Sequence, residues 1–272
     1  MDKWLFLSLI LILITGCEYS PWQINRLQCD GFSIPEQLDA VAEVEQMMLG
    51  SDSFKVGFVA DSQLHPQSLY DAIGHLNQQD DLAFLFVLGD LSEMGLEKEV
   101  NWACQAFKRA KFPVLVVIGN HDSISFGKKI WEEAFKLFNY SFSFLNTRFI
   151  VYNDNKYEFS DVPDHDFISQ AANLSTDELR NHTIAVSHIQ PWSIDDDQHE
   201  VRDFKQFLYD RGIGYTIHGH TSKFSYFQDN VLDLTHYIVG DAAGGDFAIM
   251  NVMPNSINFK SCSPECLPAV LE

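Results

Sequence analysis

From residue 54 onward the chain alternates two textures. Short runs rich in β-branched and aromatic residues, at 54–60, 84–88, 114–118 and 183–187, each end in a turn containing Gly, Asp, Asn or His. Between them, at 67–79, 97–110, 127–138 and 201–210, apolar residues recur at helical spacing. The first texture suits buried strands and the second suits amphipathic helices. Pro66 stands where a helix start tolerates a residue without an N–H. Strands alternating with helices predict an α/β fold with a largely parallel sheet and right-handed crossovers. After Phe142 the pattern changes: 141–145, 148–153, 235–239, 247–252 and 256–260 read as strands with short links. That predicts antiparallel pairs and a second sheet. No internal repeat, low-complexity tract or Pro/Gly-rich linker interrupts the chain. One domain over residues 53–272 is therefore the simplest account, preceded by a tether and leading helix over 17–52.

Composition narrows the class. Hydrophobic residues make up 46% of the 272 and charged residues 21%, enough for a sizeable core and unlike a disordered chain. The formal net charge is −20. Such a chain has no electrostatic footprint for nucleic acid, whose binding rests on many Lys and Arg contacts to phosphate. An anionic substrate would be repelled unless a local charge reverses the field, and a bound metal ion is the obvious source of one.

The N-terminus sets the expected compartment. Residues 4–15 form an apolar run behind Lys3, too short to span a bilayer and of the length of a secretory signal. The run closes in Leu13-Ile14-Thr15-Gly16-Cys17, which resembles the lipobox of bacterial lipoproteins. That resemblance implies a signal peptide over 1–16, a lipid on Cys17, and a membrane-anchored protein facing the periplasm or the cell exterior. More than one acyl chain anchors firmly, since each buried CH₂ contributes about 0.8 kcal/mol. Export permits disulfides among Cys29, Cys104, Cys262 and Cys266. A bridge pinning one terminus fits the positions of Cys29, Cys262 and Cys266. Cys104, in a helical pattern among apolar residues, reads as an inert core thiol. Cys262 and Cys266 carry only a weak resemblance to a metal knuckle.

Polar residues gather just after the predicted strands: Asp61-Ser62-Gln63, Gly89-Asp90 with Glu93, Gly119-Asn120-His121-Asp122, Ser187-His188, and Gly219-His220-Thr221-Ser222. Strand C-termini in open α/β sheets are where ligands bind. Any one of these turns is unremarkable, but five in this order are not expected by chance. The order resembles the calcineurin-like metallophosphoesterases, whose pattern is Asp-x-His, Gly-Asp-x-x-Asp/Glu, Gly-Asn-His-Asp/Glu, a lone His, then Gly-His-x-His. The resemblance implies a four-layer α/β/β/α sandwich of two mixed β-sheets flanked by helices, and hydrolysis of a phosphate mono- or diester. It further implies one ion held by Asp90, Asn120, His188 and His220, a set suited to Mn²⁺, Fe or Zn²⁺. His121 would protonate the leaving oxygen, oriented by Asp122 or Glu93.

Two positions depart from the pattern. Gln63 and Ser222 stand where the family carries histidines, both at the other ion, which is left with Asp61, Gln63, Asp90 and Ser222. Oxygen donors alone favour Mg²⁺ or Mn²⁺, or weak occupancy. His65 and His218 lie two residues from Gln63 and His220 and are candidate replacements; a strand period would set His218 on the face of His220. As a lone strand histidine, His218 reads more readily as packed or hydrogen-bonded. The acidic run Asp195-Asp196-Asp197 with Glu200 reads as solvated loop. Trp192 fits a substrate pocket or core packing equally. Two functional readings remain: a metal-dependent phosphoesterase, and a non-catalytic lipoprotein that keeps the fold and binds a metal or phosphate.

Overall fold

The computed structural model describes residues 26–173, 181–192 and 198–271. The signal-like run, Cys17 and Asp195–Asp197 lie outside the described residues. Two six-stranded mixed sheets pack face to face. The first has the order β12-β11-β10-β1-β2-β3 and the second β4-β5-β6-β7-β9-β8. In chain order the elements of the first half are α1 (Ile34–Met47), β1 (Phe54–Val59), α2 (Pro66–Leu76), β2 (Leu82–Val87), α3 (Glu97–Phe107), β3 (Val114–Val116), a 3₁₀ turn (His121–Ser123) and α4 (Gly127–Ala134). Then follow β4 (Tyr140–Phe144), β5 (Thr147–Val151), α5 (His165–Ala172), β6 (His182–Val186), α6 (Gln198–Tyr209), β7 (Tyr215–His218), β8 (Ser225–Gln228) and β9 (Thr235–Ile238). The chain closes with a 3₁₀ turn (Ala242–Gly244), β10 (Phe247–Met253), β11 (Ser256–Cys262) and β12 (Cys266–Pro268).

Alternation along the strands builds the interior. Phe84 and Phe86, two apart on β2, share a face. Phe84 lies 5.3–5.5 Å, centroid to centroid, from Phe142 and Phe144 of β4 and Phe149 of β5. This aromatic seam joins the sheets, with edge-on contacts that suit the ring quadrupole. Outside the second sheet, Ile168 of α5 and Leu208 of α6 close a smaller core over Ile150 and Ala185.

Three expectations change. Strands β10 and β11 do not join the second sheet: β10 pairs antiparallel with β1, and β11 with β10, extending the first sheet. Conversely β6, in the α/β alternation, pairs parallel with β5 and β7 in the second. Local pattern specifies a strand but not its neighbour. Cys104 is not a free thiol. It is bonded to Cys29, 75 residues away in sequence. The apolar face of α3 that suggested a core thiol is covered by the segment before α1, where the Gln28 N–H donates to Asn101 Oδ1 at 2.7 Å and Asn101 Nδ2 to the Arg26 carbonyl at 3.0 Å. Cys262 and Cys266 form a second disulfide across the β11–β12 hairpin, which removes the metal-knuckle reading. From Arg26 the leading segment is stitched to the body: the Ile34 N–H donates to the Phe135 carbonyl, and the Gln37 amide joins Gly31 to Val114.

Candidate metal centre

The C-terminal ends of β1, β2, β3, β6 and β7 meet at one edge of the sandwich, and the loops that leave them turn sharply. Asp61, Gln63, Asp90 and His220 all have left-handed backbones, with φ of 54°, 37°, 52° and 68°. Such residues are uncommon and cluster where surrounding structure holds them. Here the loops hold each other. The Asp61 N–H donates to the Gly89 carbonyl at 3.2 Å, the Gln63 N–H to the Asp90 carbonyl at 2.9 Å, and the His220 N–H to Asp61 Oδ2 at 2.9 Å. Gly119 is required by contact: a Cβ there would fall on the Asp90 carboxylate.

Asp90, His188 and His220 each offer a ligand atom within 4.8 Å of the others. His188 is fully buried, and its Nδ1 lies 2.6 Å from the Leu88 carbonyl. A carbonyl only accepts, so that geometry assigns the hydrogen to Nδ1. Nε2 is then surrounded by electron-rich atoms: Asn120 Oδ1 at 3.2 Å, Asp90 Oδ2 at 3.3 Å and His220 Nδ1 at 3.2 Å. Two imidazole nitrogens, an amide oxygen and a carboxylate oxygen thus face one point, an arrangement that a metal cation between them would satisfy. The titration pattern carries the same signature. Burial pushes the Asp61 carboxyl up; His188 opposes this, and Asp90 adds to it. Burial alone would depress His188, but Asp90 beside it pushes the ring up to about 10. Burial, helped by the charge of His188, pushes His220 down to about 4, so the ring is neutral and one of its nitrogens is free to bind. The donor set of two imidazoles, an amide oxygen and a carboxylate fits a borderline divalent ion.

His121 stands at the rim, its side chain 35% exposed. Its N–H donates to Asp90 Oδ1 at 3.0 Å, which fixes the loop. Its Nδ1 lies 3.0 Å from the Glu93 carbonyl and 3.7 Å from the Glu93 carboxylate. Against the depressing effect of burial, the Glu93 carbonyl, Asp90 and Glu93 raise its pKa. Asp122 is engaged elsewhere: Oδ1 accepts from the Ser92 N–H and hydroxyl at 2.9 Å, and Oδ2 from the Gly119 N–H at 3.0 Å. It ties the β2 and β3 loops together, while the atoms on the His121 ring come from Glu93.

Of the remaining expected residues, Gln63 reaches the centre, its Nε2 3.5 Å from Asp90 Oδ2. Ser222 is exposed, and among the described residues no hydrogen bond links it to the cluster. His65 is exposed at the start of α2. His218 does not replace the missing imidazole. Strand β7 ends at His218 and the chain turns at His220, so the strand period does not carry across. His218 is fully buried in a chain of hydrogen bonds, Nδ1 2.9 Å from Ser187 Oγ and Nε2 2.8 Å from Thr216 Oγ1, which is itself 2.7 Å from His236 Nδ1. Trp192 packs on His218, His236 and Phe227, the packing alternative. The carbonyls of Leu88 and Glu93, which orient the two rings, have no side-chain signature in the sequence.

Residues 54–224 match the family model described as calcineurin-like phosphoesterase. No curated protein matches the chain. Among solved structures, purple acid phosphatase from yellow lupin seeds is similar at 12% identity, TM-score 0.58, over 80% of this chain and 53% of that one. The anchor protein of the Plasmodium inner membrane complex is similar at 14% identity, TM-score 0.59, over 78% and 84% of the two chains. The 5′-nucleotidase of Candida albicans is similar at 12% identity, TM-score 0.50, over 76% and 50%. At these identities the likeness is one of fold, and the chain spans about half the length of the lupin and Candida proteins.

Proposed function

This chain belongs to the calcineurin-like phosphoesterase family, and from that premise we propose that it is an exported, lipid-anchored hydrolase of phosphate mono- or diesters. The observation that carries the reading is the convergence of Asp90, Asn120, His188 and His220 on one point. These residues would hold Mn²⁺, Fe or Zn²⁺, while Asp61, Gln63 and Asp90 would hold a harder ion, Mg²⁺ or Mn²⁺, less tightly. Ser222, exposed and unlinked, contributes little to that second set. When bound, such ions neutralise phosphate oxygens and supply a nucleophilic water at neutral pH.

The rest of the chemistry belongs to the chain. His121 keeps Nδ1 on Glu93, which leaves Nε2 to hand a proton to the departing alkoxide. With a cation held by Asp90, that carboxylate would act less on the ring, and Glu93 would be the group that keeps His121 charged. Asp122 fixes the loop from which His121 projects. The two disulfides fit an oxidising compartment, and the Cys17 context fits lipidation. Among the described residues no helix is long and apolar enough to cross a membrane.

The test is hydrolysis of a chromogenic phosphomonoester and phosphodiester by chelator-stripped protein, with Mn²⁺, Mg²⁺, Zn²⁺ or Ca²⁺ added back singly. Metal-restored turnover is expected, and His121→Ala lowers it by roughly 10² to 10⁴ with metal content unchanged. Turnover unaffected by stripping overturns the reading. Cys17→Ser is expected to move the protein out of the membrane fraction or leave an uncleaved precursor. The second reading, a non-catalytic binding protein, is favoured by Gln63 and Ser222 at the family's histidine positions. It predicts one tight ion and no turnover with any metal.

A further inference from the structure

The leading segment joins the body at the edge that carries the metal centre. The Arg26 N–H donates to Glu97 Oε1 at 2.9 Å, the Gln28 N–H donates to Asn101, and Cys29 is bonded to Cys104. These partners lie successively further along α3, so residues 26–29 run in the direction of that helix, away from its start. Helix α3 begins where the β2 loop ends, and that loop carries Glu93, whose carbonyl holds the His121 ring. From Glu93 to Glu97 the chain spans at most about 14 Å, which sets Arg26 on the metal-centre edge. Arg26 is the ninth residue after Cys17, the residue expected to carry the lipid. Even fully extended, that stretch reaches only about 30 Å. A body of this size is about 45 Å across. Such a tether holds the metal-centre edge toward the bilayer and is too short to pass around the body and set the opposite edge there.

A second observation lies on the same edge. Each first-sheet loop that supplies the site also carries one exposed large apolar side chain: Leu64 beside Gln63, Met94 beside Glu93, and Phe126 on the loop of His121. The loops of Met94 and Phe126 touch, since a Cβ on Gly95 would fall on the Ile124 carbonyl and within 3.2 Å of the Gly127 backbone. Apolar groups so placed gain by leaving water, which an acyl-chain boundary beside them allows. The net charge of −20 gives no attraction to an anionic surface, so the anchor and this rim, rather than basic residues, set the orientation.

We propose that the metal-centre edge faces the bilayer and that the substrate is a phosphate ester carried by a membrane lipid, presented from the surface in which the anchor sits. The oxygen of a water bonds to phosphorus as the bond from phosphorus to the departing alcohol oxygen breaks. His121 gives that oxygen its proton, and the proton lost by the water restores His121. The substrate class rests on the phosphoesterase and lipid-anchor readings; the orientation rests on the anchor alone.

Full-length protein, loaded with Mn²⁺, is reconstituted in phosphatidylcholine vesicles carrying phosphatidic acid or phosphatidylglycerol. Its turnover there is compared with that of glycerol 3-phosphate and glycerophosphoglycerol, which hold the same reacting groups without acyl chains. A rigid Glu-Ala-Ala-Ala-Lys repeat spacer about 45 Å long, inserted after Trp22, is expected to lower lipid turnover roughly ten-fold and leave the soluble ester unchanged. The variant Leu64→Ser/Met94→Ser/Phe126→Ser should lower the ratio of lipid to soluble turnover roughly five-fold. Orientation is read separately by adding a fluorophore at either edge, Phe126→Trp at the metal centre or Tyr209→Trp at the far end of α6. Brominated acyl chains should quench the first added tryptophan and spare the second. Mass spectrometry that finds no lipid on Cys17, or equal quenching at the two edges, overturns the orientation and the substrate class. Hydrolysis of the soluble ester alone, or lipid turnover that the spacer leaves intact, overturns the substrate class while the phosphoesterase reading stands. Hydrolysis of neither ester overturns both of these, and quenching confined to Phe126→Trp then still upholds the orientation.

Discussion

His121 illustrates how much of a proposed general acid's behaviour lies outside its own side chain. A motif in the sequence picks it out, but the atoms that set its tautomer and charge belong to Glu93, a carbonyl at 3.0 Å and a carboxylate at 3.7 Å. Together with Asp90 they raise its pKa, so in the proposed role the ring would remain charged further into the neutral range. Replacing the charge tests this. In Glu93→Gln the ring loses its proton at lower pH, and the alkaline fall in kcat should move to lower pH. Both side chains are about one-third exposed, so solvent screens the effect. At pH 8 the variant should turn over roughly two- to five-fold more slowly, and near pH 6 it should match the wild type. A pH–rate profile unchanged by the substitution would mean that the carbonyl alone orients the ring. Asp122 teaches the converse: its place in the motif suggested partnership with His121, whereas its oxygens bind Ser92 and Gly119.

At the scale of an element, the turns do the positioning. Each site loop leaves a strand and reverses within a few residues, and four of the residues concerned pay backbone strain for it. The β3 loop approaches the β2 loop so closely that Gly119 has no room for a side chain. Gly119→Ala would therefore displace the Asp90 carboxylate while leaving the strands intact. The expected result is protein with near-normal circular dichroism and a tight-ion content well below one per chain, read by elemental analysis. Full occupancy in that variant would show that the loops can part without disturbing Asp90. The end of β7 is equally decisive. Because the strand stops at His218, two histidines two residues apart go to different places: one to the metal centre, the other into a buried chain with Ser187, Thr216 and His236.

Across the whole molecule, the metal centre depends on two sheets being held in register. Asp61, Asp90 and Asn120 come from loops of the first sheet, and His188 and His220 from the second. Among the described residues neither disulfide joins the two sheets, and the aromatic seam between them aligns those groups. Phe84, fully buried and touching rings from both sheets, is its centre. Phe84→Ala should cost about 3–5 kcal/mol of stability in urea unfolding, since so large a buried side chain leaves a cavity. Loss of metal should accompany the loss of stability, because a loosened seam lets the two ligand sets drift apart.

Periodicity and turn chemistry by themselves determined the α/β alternation from β1 onward, most of the strands and helices, and the motif residues at the strand ends. These are local properties: burial spacing fixes an element's type, and Gly, Asp, Asn and His mark its exit. Only the tertiary structure decided which strands are neighbours, since β10 and β11 look alike whether they extend the first sheet or the second. It also paired Cys29 with Cys104, gave Glu93 rather than Asp122 to the His121 ring, and separated His218 from His220. In each case the deciding contact joins residues distant in the chain or passes through a backbone atom, and neither leaves a trace in the spacing of side chains.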